Sequence, residues 1–283
     1  MKRREYYSIR TKKNPNAVRF DLSTLLKLFY SLYKDFEEKG YFQESFGYVC
    51  VDAGKVPGTL GPNIGTLFLR KLRKDNLWTI DACWEQYSEE DLFDVIEFLF
   101  DYVSKPVDGY YHSYGDCGMH YNKFEQQVGQ NEYRNEFNEL LRDYGDGYEL
   151  SSGGEILSLA DKGLQPLLEA NLPKLDPENV ETKVEAAILK FRRYRSSIDE
   201  RKEAVRSLAD VLEFLRPQLK EVLSSKDEGD LFNIANNFAI RHHNPSQKTG
   251  YDQSIWLSWM FYFYLSTIHA GIRLIQKRAE NKS

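Results

Sequence analysis

The chain has 283 residues, enough for one large domain or two ordinary ones, each with its own core. Its hydrophobic and charged fractions, 41% and 29%, are those of a soluble globular protein. A net charge of -5 excludes a global basic field that would draw in nucleic acid. Any such contact must rest on a local patch. Two exist, Lys2-Arg3-Arg4 with Arg10, Lys12 and Lys13, and "KFRRYR" from Lys190 to Arg195; each also reads as a solvated charged face. Three widely spaced cysteines, Cys50, Cys83 and Cys117, argue against a disulfide framework and for a reducing compartment. No apolar stretch follows the opening basic residues, so no secretory signal is expected and the cytoplasm is the default location.

"DLSTLLKLFYSLYKDFEEKG" predicts the first long helix. Asp21 or Ser23 caps it, Leu25, Leu28, Phe29, Leu32 and Phe36 form its apolar stripe, and Gly40 stops it. "VDAGKVPGTLGPNIG" reads as a loop, without the Gly-Lys-Ser/Thr of a phosphate-binding loop. "NIGTLFLRKLRKDNLW" is a further candidate helix. "SEEDLFDVIEFLFDYVSKP" is the clearest helix of the first half, with a Ser88/Asp91 capping box, acidic residues in the first turn and Pro106 beyond its end. Residues 107–120 read as a Gly/Tyr/His loop, and "NEYRNEFNELLRDYG" as a helix. "GYELSSGGEILSL" predicts a small hairpin, the one convincing strand pair. Helices are then expected over about 161–172, 177–195, 199–224, 227–239 and 253–278, with "PKLDPENV" as the domain boundary. Ser254 to Ile272 carries no Asp, Glu, Lys or Arg, but its serines, tyrosines and His269 favour a buried core helix over a membrane span.

Several groups carry chemistry. Cys117-Gly118-Met119-His120, with His112 ahead of it, has zinc-ligand residue types, and Cys83 is a conceivable fourth ligand. Only three ligands lie close in sequence, so an incidental Cys and His in a loop is the favoured reading and no metal is expected. No flanking context singles out a cysteine nucleophile. Glu203, Asp210 and Glu213 fall near one helical face, a pattern of paired carboxylates and equally of a solvated stripe beside Arg206. The densest cluster is "NNFAIRHHNPSQ", with Asn236, Asn237, Arg241, His242, His243 and Asn244. Arginine offers a permanent cation shaped for phosphate, and a neutral imidazole accepts a proton near pH 7 and returns it. Those are the groups needed to cleave RNA through its own 2′-hydroxyl without a metal or other cofactor. A polar cap on the following helix is the competing reading, and the residues alone leave both open.

The cluster precedes a last long helix in an all-helical region, and this resembles HEPN domains. More particularly, the chain is similar to AbiJ-type abortive-infection proteins. "YYSIR", "DLFDVIEFLFDYV", "NEFNELLRDYGDGYELSSGGEIL", "ERKEAVRSLADVLE" and "FAIRHHN" follow in the family's order over most of the chain. The resemblance implies a mainly α protein, with a helical N-terminal region (1–175) carrying a small β-hairpin and a C-terminal HEPN-like helical bundle (176–283). It implies a homodimer through that bundle, an anti-phage toxin acting as a metal-independent, RNA-binding endoribonuclease, and a partner protein or antitoxin. Arg241, His242 and His243 would be catalytic. Asn236, Asn237, Asn244, Asp210 and Glu213 would bind or orient. The family pattern is an arginine, four to six intervening residues and then a histidine; in those places this chain has Ser246, Gln247 and Lys248. That departure favours the alternative, a catalytically inactive HEPN-like module that binds a protein or nucleic acid and regulates it.

Overall fold

A computed structural model of the chain describes residues 6–11, 13, 19–159, 163–224, 229–232 and 252–281. The first turn, α1 (Tyr7–Arg10), is short and buries nothing. In α2 (Leu22–Glu38) the Asp21 carboxylate caps the start, accepting the Thr24 N–H at 2.8 Å, and Leu25, Leu26, Phe29, Tyr33 and Phe36 are buried. The chain leaves α2 through Gly40 at φ +83°, where an added Cβ would lie 2.4 Å from the Tyr121 ring. Three short helices follow: α3 (Gln43–Phe46), α4 (Ile64–Leu72) and α5 (Ile80–Cys83). The predicted capping box of α6 (Glu89–Tyr102) forms with both of its reciprocal bonds. Together with α7 (Gln126–Leu141), α2 and α6 enclose an aromatic core. Phe36 meets Tyr133 edge-on at 5.3 Å, and Tyr133 stacks on Phe137 at 4.1 Å. The buried Tyr133 hydroxyl donates to the Ile96 carbonyl at 3.1 Å, so no polar group is stranded there.

This mainly α unit carries three antiparallel strand pairs: β1 (Tyr48–Cys50) with β2 (Gly54–Val56), β3 (Lys105–His112) with β4 (Gly118–Glu125), and β5 (Tyr148–Leu150) with β6 (Ile156–Ser158). The last is the predicted hairpin. The first two fall largely in or beside the stretches expected as loops, 51–65 and 107–120. The pair β3–β4 is exposed or half-exposed along nearly its whole length, so the apolar/polar alternation that marks a half-buried strand is missing from its sequence.

The β5–β6 hairpin is fixed by two polar side chains. Leu150 and Ile156 pair across it with backbone groups facing outward. Asn138 of α7 donates to the Leu150 carbonyl at 3.1 Å and accepts its N–H at 2.5 Å. Glu97 of α6 accepts the Ile156 N–H at 2.6 Å. Burial raises the Glu97 pKa above the ordinary carboxylate range, and Glu155, Asp94 and Asp101 push the same way. The folded state therefore binds the Glu97 proton more tightly than the unfolded one. This contribution to stability is complete below the unfolded pKa and is lost as pH rises through the folded one. Glu97→Gln keeps an acceptor for Ile156. It should raise the melting temperature at pH 7, with a gain that shrinks toward pH 4; equal shifts at both pH values would contradict the assignment.

The second unit begins at Ala160, ahead of the boundary read from "PKLDPENV". The reason is packing: Leu167 and Leu168 of α8 (Gln165–Glu169), with Leu172 and Leu175, rest on the core of the C-terminal helices. A π-helical turn, Pro177–Glu181, leads into α9 (Thr182–Arg192). Ser197 and Glu200 form a capping box at the start of α10 (Ile198–Leu219), which keeps Pro217 within its last turn. The last helix is α11 (Gln253–Glu280), capped by Asp252. Phe191 of α9 stacks on Phe261 at 4.0 Å, and the Arg201 guanidinium lies 5.3 Å from the Phe191 ring. Toward their far ends Gly271 meets Leu219, and Arg278 pairs with Glu221 at 3.1 Å. Thus α10 and α11 run in the same direction. Leu257, Met260, Phe261, Tyr264, Leu265, Ile268 and Ile272 of α11 are buried, as expected for a core helix, and no described helix is long and apolar enough to cross a membrane.

Candidate functional site

The sequence-predicted cluster of Asn236, Asn237, Arg241, His242, His243 and Asn244 lies outside the described residues. Its two expected carboxylate partners are placed. Asp210 is exposed on α10, opposite the buried stripe of Val205, Leu208, Leu212 and Leu215. Glu213, one turn later, is half-buried and pairs with Arg216 at 3.3 Å. The Arg216 guanidinium in turn covers the Phe232 ring at 4.3 Å. Glu203 pairs with Lys190 at 2.9 Å, so the "KFRRYR" stretch is partly neutralised within the bundle.

The structure gathers a different constellation, in the N-terminal unit. One ligand-type atom from each of Cys50, His112, Cys117 and His120 lies within 4.8 Å of every other. The elements that place them are the two hairpins missing from the sequence reading. Cys50 is the last residue of β1, opposite Gly54 across a tight turn. His112 ends β3 and pairs with Gly118, while His120 on β4 pairs with Tyr110. Side chains alternate along a strand, so His112 and His120 share one face of the hairpin. Their ring centroids are 5.4 Å apart. Between them the tip turns through left-handed backbone at Gly115 and Asp116, which brings Cys117 back toward the same face. Cys50 and His120 are buried, and His112 and Cys117 are half-buried.

The internal contacts are directional. Cys117 Sγ lies 3.2 Å from His120 Nε2, and Cys50 Sγ lies 3.7 Å from His112 Nδ1. The other nitrogen of each ring is engaged outside the cluster. His120 Nδ1 is 3.2 Å from the Tyr110 hydroxyl, and His112 Nε2 is 3.2 Å from Asp52 Oδ2. Each sulfur also meets backbone donors. The Val51 N–H donates to Cys117 Sγ at 3.4 Å. At Cys50 the Ala53 N–H, with smaller help from Asp52 and Cys117, holds the thiol below its ordinary pKa. The Tyr48 ring covers His120 at a centroid distance of 4.3 Å.

The sequence reading had His112, Cys117 and His120 in view but took Cys83 as the conceivable fourth member. Cys83 ends α5, outside this group, and the fourth member is Cys50. The available signal was local: in "YVCVDAG" a cysteine closes a short strand just before a glycine-containing tight turn. Compared with known protein families, curated proteins and solved structures, the chain matches none.

Proposed function

We propose that the chain is an anti-phage defence protein of the abortive-infection type whose C-terminal helical unit cleaves RNA. The observation that carries this reading is one of order along the chain: Arg241-His242-His243-Asn244 stands shortly before Asp252, the cap of the long core helix α11. In this reading one imidazole takes the proton of the ribose 2′-hydroxyl. The 2′-oxygen forms a bond to phosphorus, the 5′-oxygen leaves, and it takes up a proton from a protonated imidazole or from water. Arg241 balances the charge on the phosphoryl oxygens. Asn236, Asn237 and Asn244 hold the phosphate or imidazoles, and Asp210 or Glu213 orients the cation. A homodimer through the C-terminal bundle would bring two such segments together.

The test is cleavage of bulk RNA by purified full-length protein in buffer without added divalent cations, with toxicity on expression as a second readout. Arg241→Ala is expected to lower cleavage by about 10²–10³-fold, the usual cost of removing a transition-state charge partner. The double change His242→Ala/His243→Ala should lower it by about 10²–10⁴-fold. Unchanged cleavage in both variants would sink the catalytic assignment.

One observation favours a second reading, a binding module without catalysis. Ile255, Trp256 and Trp259 are exposed on α11, and Trp259 lines a groove with Leu167, Tyr262 and Phe263. Buried aromatic anchors dominate many interfaces. Absence of cleavage, together with a binding partner lost on Trp259→Ala, would select this reading over the first.

A further inference from the structure

We propose that Cys50, His112, Cys117 and His120 bind one zinc ion, which clasps the β1–β2 hairpin to the tip of the β3–β4 hairpin. The inference goes beyond the RNA-cleaving reading and is independent of it, because every residue it uses belongs to the N-terminal unit.

The donor set comes first. Two thiolates and two imidazoles are a four-ligand zinc set. Tetrahedral zinc, with bonds of about 2.3 Å to sulfur and 2.0–2.1 Å to nitrogen, sets ligand atoms roughly 3.3–3.8 Å apart. The four atoms already lie within 4.8 Å of one another, so small side-chain rotations close the site. An iron–sulfur cluster with mixed ligands would hold the cysteines on one iron and the histidines on another. Here each sulfur instead has an imidazole as its neighbour, which suits one central ion.

The surroundings point the same way. Each histidine turns one nitrogen inward and gives the other to an oxygen, Asp52 for His112 and Tyr110 for His120. Such outer partners fix the ring and its tautomer in metal sites. The Val51 N–H, beside Cys50, donates to Cys117 Sγ at 3.4 Å, an outer contact that holds this sulfur toward the cluster. On binding, each thiol gives up its proton and the sulfur lone pair forms the bond to zinc.

The clasp also answers a stability problem. Around the cluster Val49, Val51, Tyr110, Tyr111 and Tyr114 are exposed, so these hairpins meet with little apolar burial of their own. A two-stranded hairpin is marginal in water without packing or a staple. Four protein ligands leave no open position, which assigns the ion a structural role rather than a catalytic one.

Full-length protein purified without chelator should carry one zinc per chain by elemental analysis. Cys117→Ser and His120→Ala should reduce this to background, and Cys83→Ser should leave it unchanged. Cobalt added to the apoprotein should give intense tetrahedral d–d bands and a thiolate charge-transfer band, both lost in Cys50→Ser. Because ligand variants can fail to fold, Asp52→Ala supplies the second arm. It keeps all four ligands and should weaken zinc by about 10–100-fold in competition with a chelator. The proposal is overturned by zinc-free protein with a Cys50–Cys117 disulfide, by an octahedral cobalt spectrum, or by undiminished zinc in Cys117→Ser.

Discussion

Phe261→Ala is expected to destabilise the C-terminal unit by about 3–5 kcal/mol, the range for truncating a buried phenylalanine. Phe261 has no measurable exposure and sits at the centre of that core, with its ring stacked on Phe191 at 4.0 Å. Two helices depend on it at once. Its removal leaves Phe191 of α9 without its stacking partner and opens a cavity on the buried face of α11. A domain's whole stability is commonly about 5–15 kcal/mol, so the loss is a large share of it. The measurement is amide hydrogen exchange in α9, α10 and α11. Exchange through global opening should accelerate by about a hundred- to a few-thousand-fold, at 1.4 kcal/mol per tenfold. Unchanged protection in these helices would mean that Phe261 does not anchor the bundle. The same variant bears on function, because the reading of this unit as an RNA-cleaving bundle needs α10 and α11 held together.

Asn138→Leu is the second large effect, and it acts through two orphaned backbone groups. Leucine is close to asparagine in size but can neither donate to the Leu150 carbonyl nor accept its N–H. Both Leu150 groups face away from β6, and Leu150 is only 1% exposed, so water does not replace the lost partners. At about 1–3 kcal/mol for each buried unsatisfied group, the expected loss is about 2–6 kcal/mol. Asn138→Asp should cost less, since it keeps the acceptor for the N–H. Urea unfolding followed by tyrosine and tryptophan fluorescence distinguishes the two variants. A midpoint for Asn138→Leu within error of the parent protein would show that Leu150 is satisfied by other means.

What the sequence revealed depended on whether burial had written a period into it. In α6, Leu92, Val95, Ile96 and Leu99 recur at helical spacing because one face packs inward, and Ser88 and Asp91 mark the start. The last helix was legible for the same reason, down to its identity as a core element. The β5–β6 hairpin was legible because its glycines punctuate two short apolar runs. By contrast, β3 and β4 are exposed or half-exposed except at His120, and Pro106 and Gly109 within β3 read as breakers; the register shifts between Pro106 and Gly109 accommodate them. The metal-type cluster was half visible. His112, Cys117 and His120 are close in sequence, but Cys50 reaches them only through the tertiary fold, and no local spacing rule connects it to them. The mainly α architecture was thus readable from packing faces, while the constellation built on exposed hairpins needed three-dimensional proximity.

The separation of Cys50 from its three partners also has a consequence for biosynthesis. On a ribosome adding about 5–20 residues per second, the β1–β2 turn emerges about 3–14 s before His120 does. All of α4, α5 and α6 is made in that interval. The four side chains therefore come together only after the intervening helices have been synthesised. An ion captured there arrives late and locks a layer that has already formed, rather than nucleating it.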